Sequence, residues 1–592
     1  MIVLSRWRSR CEERLFPFVC VKRRVDRGRN TMTLMQLRVN DVRVSLLKEK
    51  TLKECVADKL GIKKSALHKV QVLHRAVDAR RKNNVALLYH VKVEADVPQA
   101  VSRKILKCPG VSEFVPVLPE APRLGDVPMT ERPVVIGAGP AGLVAALELA
   151  TYGYRPLLLE RGRALEKRVK DVDRFWRTGE FDPASNVQFG MGGAGTFSDG
   201  KLTTRVNDPV MADILQAFVK AGAPPEILTE HKPHVGTDKL RAMVQGLAAE
   251  IEICGGEIHC ETQVTDFLVK EGRLTGLLLG DGTVLATETV ILACGHSARD
   301  TYKALAARGI GMEAKAFAVG VRVEHPQALI DKAQYGEFAG HPRLGVADYA
   351  LVYHTDDKKR AAYSFCMCPG GLVVAAASEE GGVVVNGMSL YQRDSGIANS
   401  ALVVNVTPDD FGTDPLAGVA FQRKYEKLAF AAGGKNYKAP AQSVQSFLQG
   451  TEPALEDARK YLEEIAAQNK EAGLMGKNGR PLSAAMPSYR PGVRPAALEP
   501  ILPVYVTDTL KQGIRYFGRR IQGFDGPSGI LTGVETRTSA PLRIVRGADY
   551  RSVTHAGLYP CGEGCGYAGG IMSAALDGYH VARAVMKKYK PF

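Results

Sequence analysis

The sequence predicts an α/β protein in which a parallel-sheet domain is interrupted by an inserted α+β domain and preceded by a small α+β domain. A short apolar strand at residues 134–136 leads through a glycine-rich turn into a helical run at 143–150. Two further apolar strands that end in glycine turns follow at 289–295 and 557–564. The long mixed pattern between them, residues 311–544, is typical of a domain inserted between strands of one sheet.

The positive charge is concentrated at the beginning of the chain. The formal net charge is +16, of which residues 1–31 contribute +6 and residues 32–110 contribute +10, so the remaining residues balance. A basic tail with a solvated basic domain explains this distribution. An anionic partner at the N-terminal region, such as RNA or an acidic surface, is the alternative.

Membrane and export signals are not recognised in the sequence. No apolar run approaches the roughly 18 residues that a membrane-spanning helix needs, and the apolar stretch 15–21 is broken by Pro17. We therefore expect no stable membrane insertion and a cytoplasmic location. The 11 cysteines are an odd number spread over 592 residues, a pattern that favours reduced thiols over a disulfide framework.

Changes in composition and the positions of proline and glycine suggest domain boundaries. Residues 1–31 are rich in arginine without periodicity, which indicates a disordered extension, an upstream start that is not the natural one, or an organelle-targeting peptide. The predicted units are a disordered basic leader at 1–32, a small basic α+β domain at 33–117, a linker at 118–129, the first part of the parallel-sheet domain at 130–310 with an inserted segment near 206–234, an inserted cap domain at 311–544, and the last part of the parallel-sheet domain at 545–592.

Within the small domain, alternating apolar residues predict three strands. These lie near residues 37–46, 70–73 and 85–93, and residues 52–60 predict a short helix that ends at Gly61.

The turn after residue 136 has the dinucleotide-binding pattern G-x-G-x-x-G in its proper context of strand, turn, helix, strand and acid. Gly137 permits the tight turn, Gly139 lets the backbone approach a pyrophosphate, and Gly142 lets the helix pack closely on the strand. Glu160, 18 residues after Gly142, ends the second strand, where a carboxylate can accept hydrogen bonds from a ribose diol. The sequence therefore predicts a Rossmann-like domain, with NAD and FAD both open as its ligand at this point.

Three further segments favour FAD. The glycine-rich stretch 189–201 can bring backbone N–H groups against a flat ring or a phosphate, and the strand 289–295 follows a hairpin whose turn is Asp281-Gly282. The third, 557–564, places Glu563 where it can hold a ribitol hydroxyl. The helix that starts after Gly569-Gly570 could face the N1–C2=O edge of a flavin.

Six strings carry a resemblance to a known group of proteins: residues 186–190, 192–201, 365–371, 386–389, 535–539 and 562–571. From about residue 33 the chain resembles the uncharacterised FAD-dependent dehydrogenases, also called NAD(P)/FAD-dependent oxidoreductases, of the glutathione-reductase-like class. The resemblance implies bound FAD, an inserted substrate domain and the small N-terminal domain. It does not imply a substrate. Cys565 stands where this group has a small residue such as alanine, which weakens any argument from a Cys561/Cys565 pair.

The glycine turns and their neighbours supply the predicted cofactor-binding residues. They are Gly137, Gly139, Pro140, Ala141, Gly142, Glu160, Arg161, Arg168, Gly192, Gly193, Ala194, Gly195, Thr196, Ser198, Val264, Ala293, Gly295, Gly562, Glu563, Gly569, Gly570 and Ile571.

The catalytic candidates are less defined. Lys201, Arg537, Arg543 and Cys366 are candidates. The simpler interpretations are a solvated loop lysine, structural ion pairs of the arginines, and buried or packing thiols. Cys366-x-Cys368 and Cys561-x-x-x-Cys565 could form redox dithiols, but neither is C-x-x-C beside a helix N-terminus. Neither spacing is that of a standard zinc or iron–sulfur site, so we predict no metal.

The predicted function is an FAD-dependent oxidoreductase that transfers hydride or electrons to or from a small organic substrate. Only one complete G-x-G-x-x-G is recognised, so NAD(P)H would be a transient electron donor rather than the ligand of a second Rossmann domain. The alternatives are a flavin-dependent RNA-modifying enzyme that binds RNA through its basic N-terminal domain, and a flavin-binding protein without catalytic activity.

Overall fold

The computed structural model describes residues 32–116, 121–456, 459–460, 463 and 486–592. The described residues divide into two compact units: 32–78 with 84–116, and 79–83 with those from 121 onward. The predicted leader lies outside the described residues except for Met32, which already belongs to a strand. Of the predicted linker 118–129, the part from 121 onward is described. Within the described ranges, no helix combines the length and the apolar character needed to cross a bilayer.

The first unit is an antiparallel sheet with two helices. Its elements are β1 Met32–Ser45, α1 Leu52–Leu60, β2 Leu67–Asp78, β3 Ala86–Pro98, α2 Gln99–Ile105 and β4 Val111–Glu113. The strand order β2-β3-β1-β4 is that of a split β-α-β fold. The sequence predicts the first three strands and α1, whereas β4 and α2 are too short to show a clear periodicity.

Helix α1 begins and ends at the residues that its sequence indicates. Thr51 caps it, because the Thr51 hydroxyl accepts from the Glu54 backbone N–H while the Glu54 carboxylate accepts from the Thr51 backbone N–H. Gly61 ends the helix in the left-handed conformation at φ 64°. The predicted helix 52–60 is confirmed.

The second unit contains a five-stranded parallel sheet, the Rossmann-like part of the fold. Its strands are β5 Val134–Ile136, β6 Leu157–Leu159, β7 Glu257–His259, β11 Val290–Leu292 and β23 Leu558–Pro560, in the order β23-β11-β5-β6-β7. The three strands predicted from glycine-terminated apolar runs are thus neighbours at the centre and one edge of the sheet. Because parallel strands end at the same edge, their glycine turns also lie side by side.

A three-stranded antiparallel sheet precedes β11 in the chain. It consists of β8 Val264–Lys270, β9 Arg273–Leu279 and β10 Val284–Ala286. The turn between β9 and β10 has Gly282 at φ 87°, and the Leu279 N–H bonds to the Thr283 carbonyl oxygen at 2.8 Å. The predicted hairpin at Asp281-Gly282 is confirmed.

Helices cover the parallel sheet. They are α3 Pro140–Thr151, α4 Leu165–Thr178, α5 Met211–Lys220, α6 Thr237–Ile253, α7 Arg299–Ala307 and, at the end of the chain, the helix Ile571–Lys588. Of these, α5 lies in the predicted inserted segment near 206–234, and its apolar face packs into the core of the parallel sheet.

The inserted domain is built on a seven-stranded mixed sheet. Its strands are β13 Phe317–Pro326, β14 Val352–His354, β15 Ala361–Cys368, β18 Ile397–Val406, β19 Ala439–Ser443, β20 Val493–Pro495 and β21 Ile530–Glu535, in the order β14-β15-β18-β13-β21-β19-β20. Its helices are α8 Gln327–Tyr335, α9 Pro408–Phe411, α10 Ala417–Ala432, α11 Val444–Gln449 and α12 Val504–Arg520, so that Ile571–Lys588 is α13. A separate hairpin pairs β16 Gly371–Ala375 with β17 Val385–Ser389.

The chain enters and leaves the inserted domain through one pair of strands. Strand β12 Met312–Ala314 pairs antiparallel with β22 Leu542–Ile544. The central strand β13 is buried along its whole length, although it contains the charged residues Arg322 and Glu324. Buried charges require partners, and those of Arg322 lie at the site described next.

Candidate functional site

The first glycine turn has the packing that a dinucleotide-binding turn requires. A side chain on Gly137 would overlap the carbonyl oxygen of Ala293, and one on Gly142 would overlap the carbonyl oxygen of Gly137. Gly139 differs, because a Cβ there would meet only the Cα of Gly193, at 3.9 Å, among the described atoms. Gly137 and Gly142 therefore hold strand and helix together, while Gly139 keeps space open in front of the turn.

Glu160 accepts backbone hydrogen bonds from three loops. Its carboxylate accepts hydrogen bonds from the backbone N–H groups of Ala138 at 2.9 Å, Gly162 at 2.8 Å and Gly190 at 3.0 Å. A carboxylate has about four acceptor positions, so one remains for a hydroxyl. The sequence predicts a ribose contact, and the structure adds a second role, because Glu160 also fixes the loops that surround the same space.

The glycine-rich stretch 189–201 folds over the first turn. A Cβ on Gly193 would lie 2.9 Å from the Cα of Gly139, so the two backbones touch. Behind this stretch lies the fully buried Arg168. Its guanidinium donates to the carbonyl oxygens of residues 186, 187, 190 and 191. Arg168, predicted to bind the cofactor, therefore shapes the loop from behind.

The third segment brings a second helix N-terminus to the same space. Helix α13 begins at Ile571, and side chains on Gly569 or Gly570 would meet no described atom within 4 Å. Gly562 packs against Ala141 and donates its N–H to the Asp577 carboxylate at 2.7 Å. Helices α3 and α13 thus both open toward one space, and each contributes partial positive charge there.

These segments enclose a cavity of about 340 Å³, which is within the range of small-molecule sites. Most of the predicted cofactor-binding residues line it: Gly137, Gly139, Pro140, Ala141, Glu160, Arg161, Gly193, Ala194, Gly195, Ser198, Val264, Ala293, Gly295, Gly562, Glu563, Gly569, Gly570 and Ile571. Four predicted residues support the wall without lining it: Gly142, Arg168, Gly192 and Thr196.

The inserted domain supplies the rest of the wall. Phe365, Cys366, Asn386, Glu535, Arg537 and Thr538 line the cavity together with the residues of the parallel-sheet domain. Of these, the sequence predicts Cys366 and Arg537 as functional. Glu535 stands in one of the strings that carry the family resemblance, and that string is the signal that could have marked it.

Glu535 is a buried carboxylic acid at the cavity. It is 3% exposed, and burial raises its pKa to about 7 even though the adjacent Arg322 opposes the shift. Arg322 is fully buried and donates from Nε to the Glu535 carboxylate at 3.1 Å. Glu563 also lines the cavity, and burial raises its pKa to about 7 as well. Both groups are near the midpoint of their titration at neutral pH.

Arg537 is held in an ion-pair network. Its guanidinium makes two hydrogen bonds to the fully buried carboxylate of Glu426, at 2.9 and 3.0 Å, and Glu426 also pairs with Arg299 of α7 at 2.7 Å. Burial opposes ionisation of Glu426, but Arg537 and Arg299 hold the pKa of its carboxyl well below the ordinary value. The sequence leaves two roles open for Arg537, a structural ion pair and a clamp on a substrate. The structure shows the ion pair.

His296 is neutral at physiological pH. Burial and the neighbouring Arg537 lower its pKa to about 4. Its Nε2 lies 3.0 Å from the Arg537 carbonyl oxygen, which can only accept, so Nε2 carries the proton. His555, the other histidine near these segments, bonds through Nδ1 to the Thr554 hydroxyl and lies outside the lining.

The structure separates the two remaining cationic candidates. Lys201 lines the cavity, donates to the Met367 carbonyl oxygen, and has its ammonium 4.0 Å from the Asp199 carboxylate. Arg543 lies outside the lining, where it pairs with the exposed Glu313 at 3.2 Å and faces the Tyr567 ring. The prediction that Arg543 reaches substrate or flavin is not supported, because β22 directs it to the pairing strand β12.

Comparisons with known proteins agree with this arrangement. A family model described as "FAD-dependent protein, C-terminal domain-like" matches residues 316–470 and 454–538, and an NAD(P)-binding Rossmann-like domain matches 135–177. A domain of unknown function matches 35–94. An uncharacterised protein of Clostridium beijerinckii is 44% identical over 561 residues, which cover 94% of this chain and 99% of that protein. The chain belongs to this family of FAD-dependent oxidoreductases. Its cofactor is FAD.

The residues present fit FAD. The space in front of Gly139 accommodates a group that a side chain would exclude, and the N-termini of α3 and α13 favour negatively charged groups such as a pyrophosphate. Glu160 has an acceptor position left for a ribose hydroxyl. Gly137, Gly139, Ala141 and Glu160 would hold the dinucleotide part, and Gly569, Gly570 and Ile571 would lie at the flavin part.

Solved structures are similar over most of the chain at low identity. L-proline dehydrogenase from P. horikoshii is 12% identical, with 80% of this chain and 96% of that chain covered at a TM-score of 0.35. Glycine oxidase from Bacillus cereus is 12% identical, with 78% and 96% covered at a TM-score of 0.31. Neither similarity indicates a substrate for this chain.

Proposed function

We propose that the protein is a two-electron oxidoreductase that is reduced by NADH or NADPH and reoxidised by a small organic substrate at the inserted-domain wall of the cavity. The observation that carries this proposal is the continuity of the cavity. Its lining runs from Gly139 and Glu160 of the nucleotide-binding motif to Asn386, Glu535 and Thr538 of the inserted domain. One cavity therefore contains both a cofactor half and a polar half.

When bound, FAD supplies the two-electron chemistry, since it accepts a hydride and passes it on. The protein binds the cofactor and orients it. The N-termini of α3 and α13 place partial positive charge at the cavity, which stabilises phosphate groups and negative charge that develops on a reduced ring. Phe365 and Val264 contribute apolar surface that excludes water.

Glu535 is the proton donor of the proposed reaction. Glu535 lines the cavity, and burial raises its pKa to about 7, so that it holds a proton near neutral pH and can release it to a substrate. Arg322 fixes one carboxyl oxygen at 3.1 Å. Two residues that the sequence predicts as catalytic candidates are engaged in other contacts. Arg537 pairs with the Glu426 carboxylate, and Lys201 donates to a backbone carbonyl oxygen.

The test is anaerobic mixing of the purified FAD-loaded protein with NADH and with NADPH. We expect the absorbance of oxidised flavin to bleach with one of them, and the bleached protein to be reoxidised by some member of a set of quinones, enones and unsaturated acids. Failure of both nicotinamides and of every acceptor would favour the flavin-binding protein without activity. A folded sample that has no flavin absorbance and takes up no added FAD would refute the proposal at its root.

The charge distribution favours a second candidate, an RNA-modifying flavoenzyme. Residues 32–110 carry a net charge of +10, and Arg38 and Lys69 are exposed on β1 and β2. Basic residues on a sheet can bind phosphates. RNA retention that falls with salt, and falls further when Arg38 and Lys69 are replaced by glutamine, would support this candidate. Retention that is absent or indifferent to both changes would dismiss it.

Two further expectations stay predictions. They are the cytoplasmic location and membership of the glutathione-reductase-like class.

A further inference from the structure

Strand β15 is irregular where it reaches the cavity. Its pairing with β18 is regular up to Phe365↔Ala401 and shifts before Cys368↔Asn399, so that Cys366 and Met367 form a bulge. Cys366 has φ 43°, a left-handed conformation that residues with side chains rarely adopt. Bulges of this kind commonly aim a side chain at a site, and Cys366 is the bulge residue that lines the cavity.

Side chains hold the three successive carbonyl groups of this bulge. Arg322 donates to the Cys366 oxygen at 3.0 and 3.2 Å, Lys201 donates to the Met367 oxygen, and the Asn399 amide donates to the Cys368 oxygen at 3.4 Å. Two of these donors are cations, and one of them, Arg322, is fully buried. Several side chains from separate elements thus over-determine one strained conformation, as expected where the conformation itself is used.

The bulge brings two thiols together. In a regular strand, residues i and i+2 are separated by roughly 6.6 Å, near the upper limit of the roughly 4.4–6.8 Å that a disulfide allows between Cα atoms. The Cys368 thiol is fully buried and donates a hydrogen bond to the Cys366 carbonyl oxygen at 3.3 Å, and the pKa of the Cys366 thiol responds most strongly to the Cys368 side chain.

We propose that Cys366 and Cys368 form a dithiol/disulfide couple that exchanges two electrons with the FAD of the same cavity. The proposal extends the proposed function and rests on it for the flavin's place in the cavity. In the oxidising direction both S–H bonds break, one S–S bond forms, and two electrons and two protons pass to FAD as the oxidant. The reverse direction opens the disulfide and returns FAD to its oxidised state.

The two cysteines have different roles in this couple. Cys366 faces the cavity and is partly exposed, whereas Cys368 is buried behind it. The neighbouring Cys368 side chain and the charges of Arg322 and Lys201 lower the pKa of the Cys366 thiol, against the opposing effect of burial. Cys366 is therefore the thiol that exchanges with the cavity, and Cys368 is the thiol that closes the disulfide.

An electron count tests the couple independently of turnover. The oxidised holoprotein is titrated anaerobically with dithionite, and the electrons consumed for complete reduction are divided by the FAD content. We expect about four electrons per FAD in the wild type, two for the flavin and two for the disulfide, and about two in Cys366→Ser and in Cys368→Ser. The control Cys254→Ser removes a thiol at the C-terminal end of α6 and should still consume about four.

A thiol count on the wild type guards against variants that fail to fold. The air-oxidised protein, denatured without reductant, should show two free thiols fewer than its 11 cysteines, and all 11 after reduction. About two electrons per FAD in the wild type, or a full thiol count in the oxidised sample, would overturn the couple. Failure of NADH and NADPH to reduce the flavin would count against the proposed function instead, and would leave both counts as expected.

Discussion

Arg322 donates a hydrogen bond to Glu535 in the wall of the cavity, with the guanidinium Nε 3.1 Å from a carboxyl oxygen. They lie 213 residues apart in the chain and meet because β13 and β21 pair antiparallel. The other N–H groups of Arg322 bond to the Cys366 carbonyl and to the side-chain oxygens of Asn386 and Asn399. One arginine therefore sets the position of both the carboxyl group and the thiol bulge.

Replacement of Glu535 by glutamine tests its role as proton donor. Burial raises the pKa of Glu535 to about 7, so activity that needs its protonated form should be present below pH 7 and lost as the pH rises through this value. Glu535→Gln should lower kcat/KM at pH 7 by about 100-fold or more, remove this titration, and leave the FAD content unchanged. The measurement is the pH profile of kcat/KM with an acceptor from the screen.

The matched control is Glu563→Gln, since burial raises the pKa of Glu563 to about 7 as well. This variant should keep the titration. If it loses the titration while Glu535→Gln keeps it, the proton donor is Glu563.

Glu324 predicts a pH dependence of stability. One of its carboxylate oxygens accepts two hydrogen bonds from Ser488, and the other has no hydrogen-bond partner in the described part of the chain. Burial raises its pKa from 4.5 to about 7, so the folded state holds a proton that the unfolded chain releases between these values. The contribution of Glu324 to stability is therefore present below pH 4.5 and is lost as the pH rises through about 7.

Glu324→Gln keeps the acceptor oxygen for Ser488 and is neutral at every pH. Relative to the wild type, Glu324→Gln should raise the melting temperature at pH 8 and change it little at pH 4.5. The gain in the free energy of unfolding at pH 8 should exceed the gain at pH 4.5 by at most about 3 kcal/mol. Thermal unfolding monitored at both pH values measures this. An equal shift at both would contradict the titration.

Gly139 and Gly142 should separate cofactor binding from folding. Gly139 has φ −80° and open space beyond its Cα, so Gly139→Ala should keep the melting temperature of the FAD-free protein. It should also weaken FAD binding by about tenfold or more, which corresponds to roughly 1.4 kcal/mol. Gly142→Ala should lower the melting temperature instead, because its Cβ overlaps the Gly137 carbonyl. Unchanged FAD content in Gly139→Ala would refute the assigned site.

Glu426 holds two buried arginines together. Glu426→Gln leaves Arg299 and Arg537 without their shared counter-charge, and removal of one partner of a buried ion pair costs about 3–5 kcal/mol. The exposed pair Lys50–Asp58, 2.8 Å apart, offers a control, and Asp58→Asn should change the melting temperature far less. Comparable effects of the two variants would show that the network does not stabilise the fold.

Arg543 should be dispensable for the reaction. It pairs with the exposed Glu313 and lies outside the cavity lining. Arg543→Gln should keep the FAD content and the rate of flavin reduction by nicotinamide within about twofold of the wild type, as expected for a substitution away from buried features. A larger loss in reduction rate with normal FAD content would return Arg543 to the catalytic candidates.

Local sequence predicts most of the residues with which the parallel-sheet domain lines the cavity. The turn at Gly137, Gly139 and Gly142 depends on backbone geometry within a few residues, and a strand-turn-helix pattern is visible in any single stretch of chain. Glu160 follows from its spacing after Gly142. Its bonds to the N–H groups of Ala138, Gly162 and Gly190 were not predictable, because they depend on how the loops close.

The inserted-domain wall of the cavity is predictable only in part, for a physical reason. Whether Arg537 clamps a substrate or pairs with a carboxylate depends on Glu426, 111 residues earlier, and the role of Glu535 depends on Arg322, 213 residues earlier. No periodicity or spacing reports contacts over such separations. Cys366 was a candidate by its residue type, but the bulge that aims it arises from pairing with β18.

The adjacent strands β12 and β22 form a single junction between the two domains of the second unit. The inserted domain joins the parallel-sheet domain through two segments that pair residue by residue, Met312 with Ile544 and Ala314 with Leu542. Its two ends therefore meet at one place on the host. The length and sequence of the inserted domain can therefore change between these two strands while the five strands of the parallel sheet keep their order.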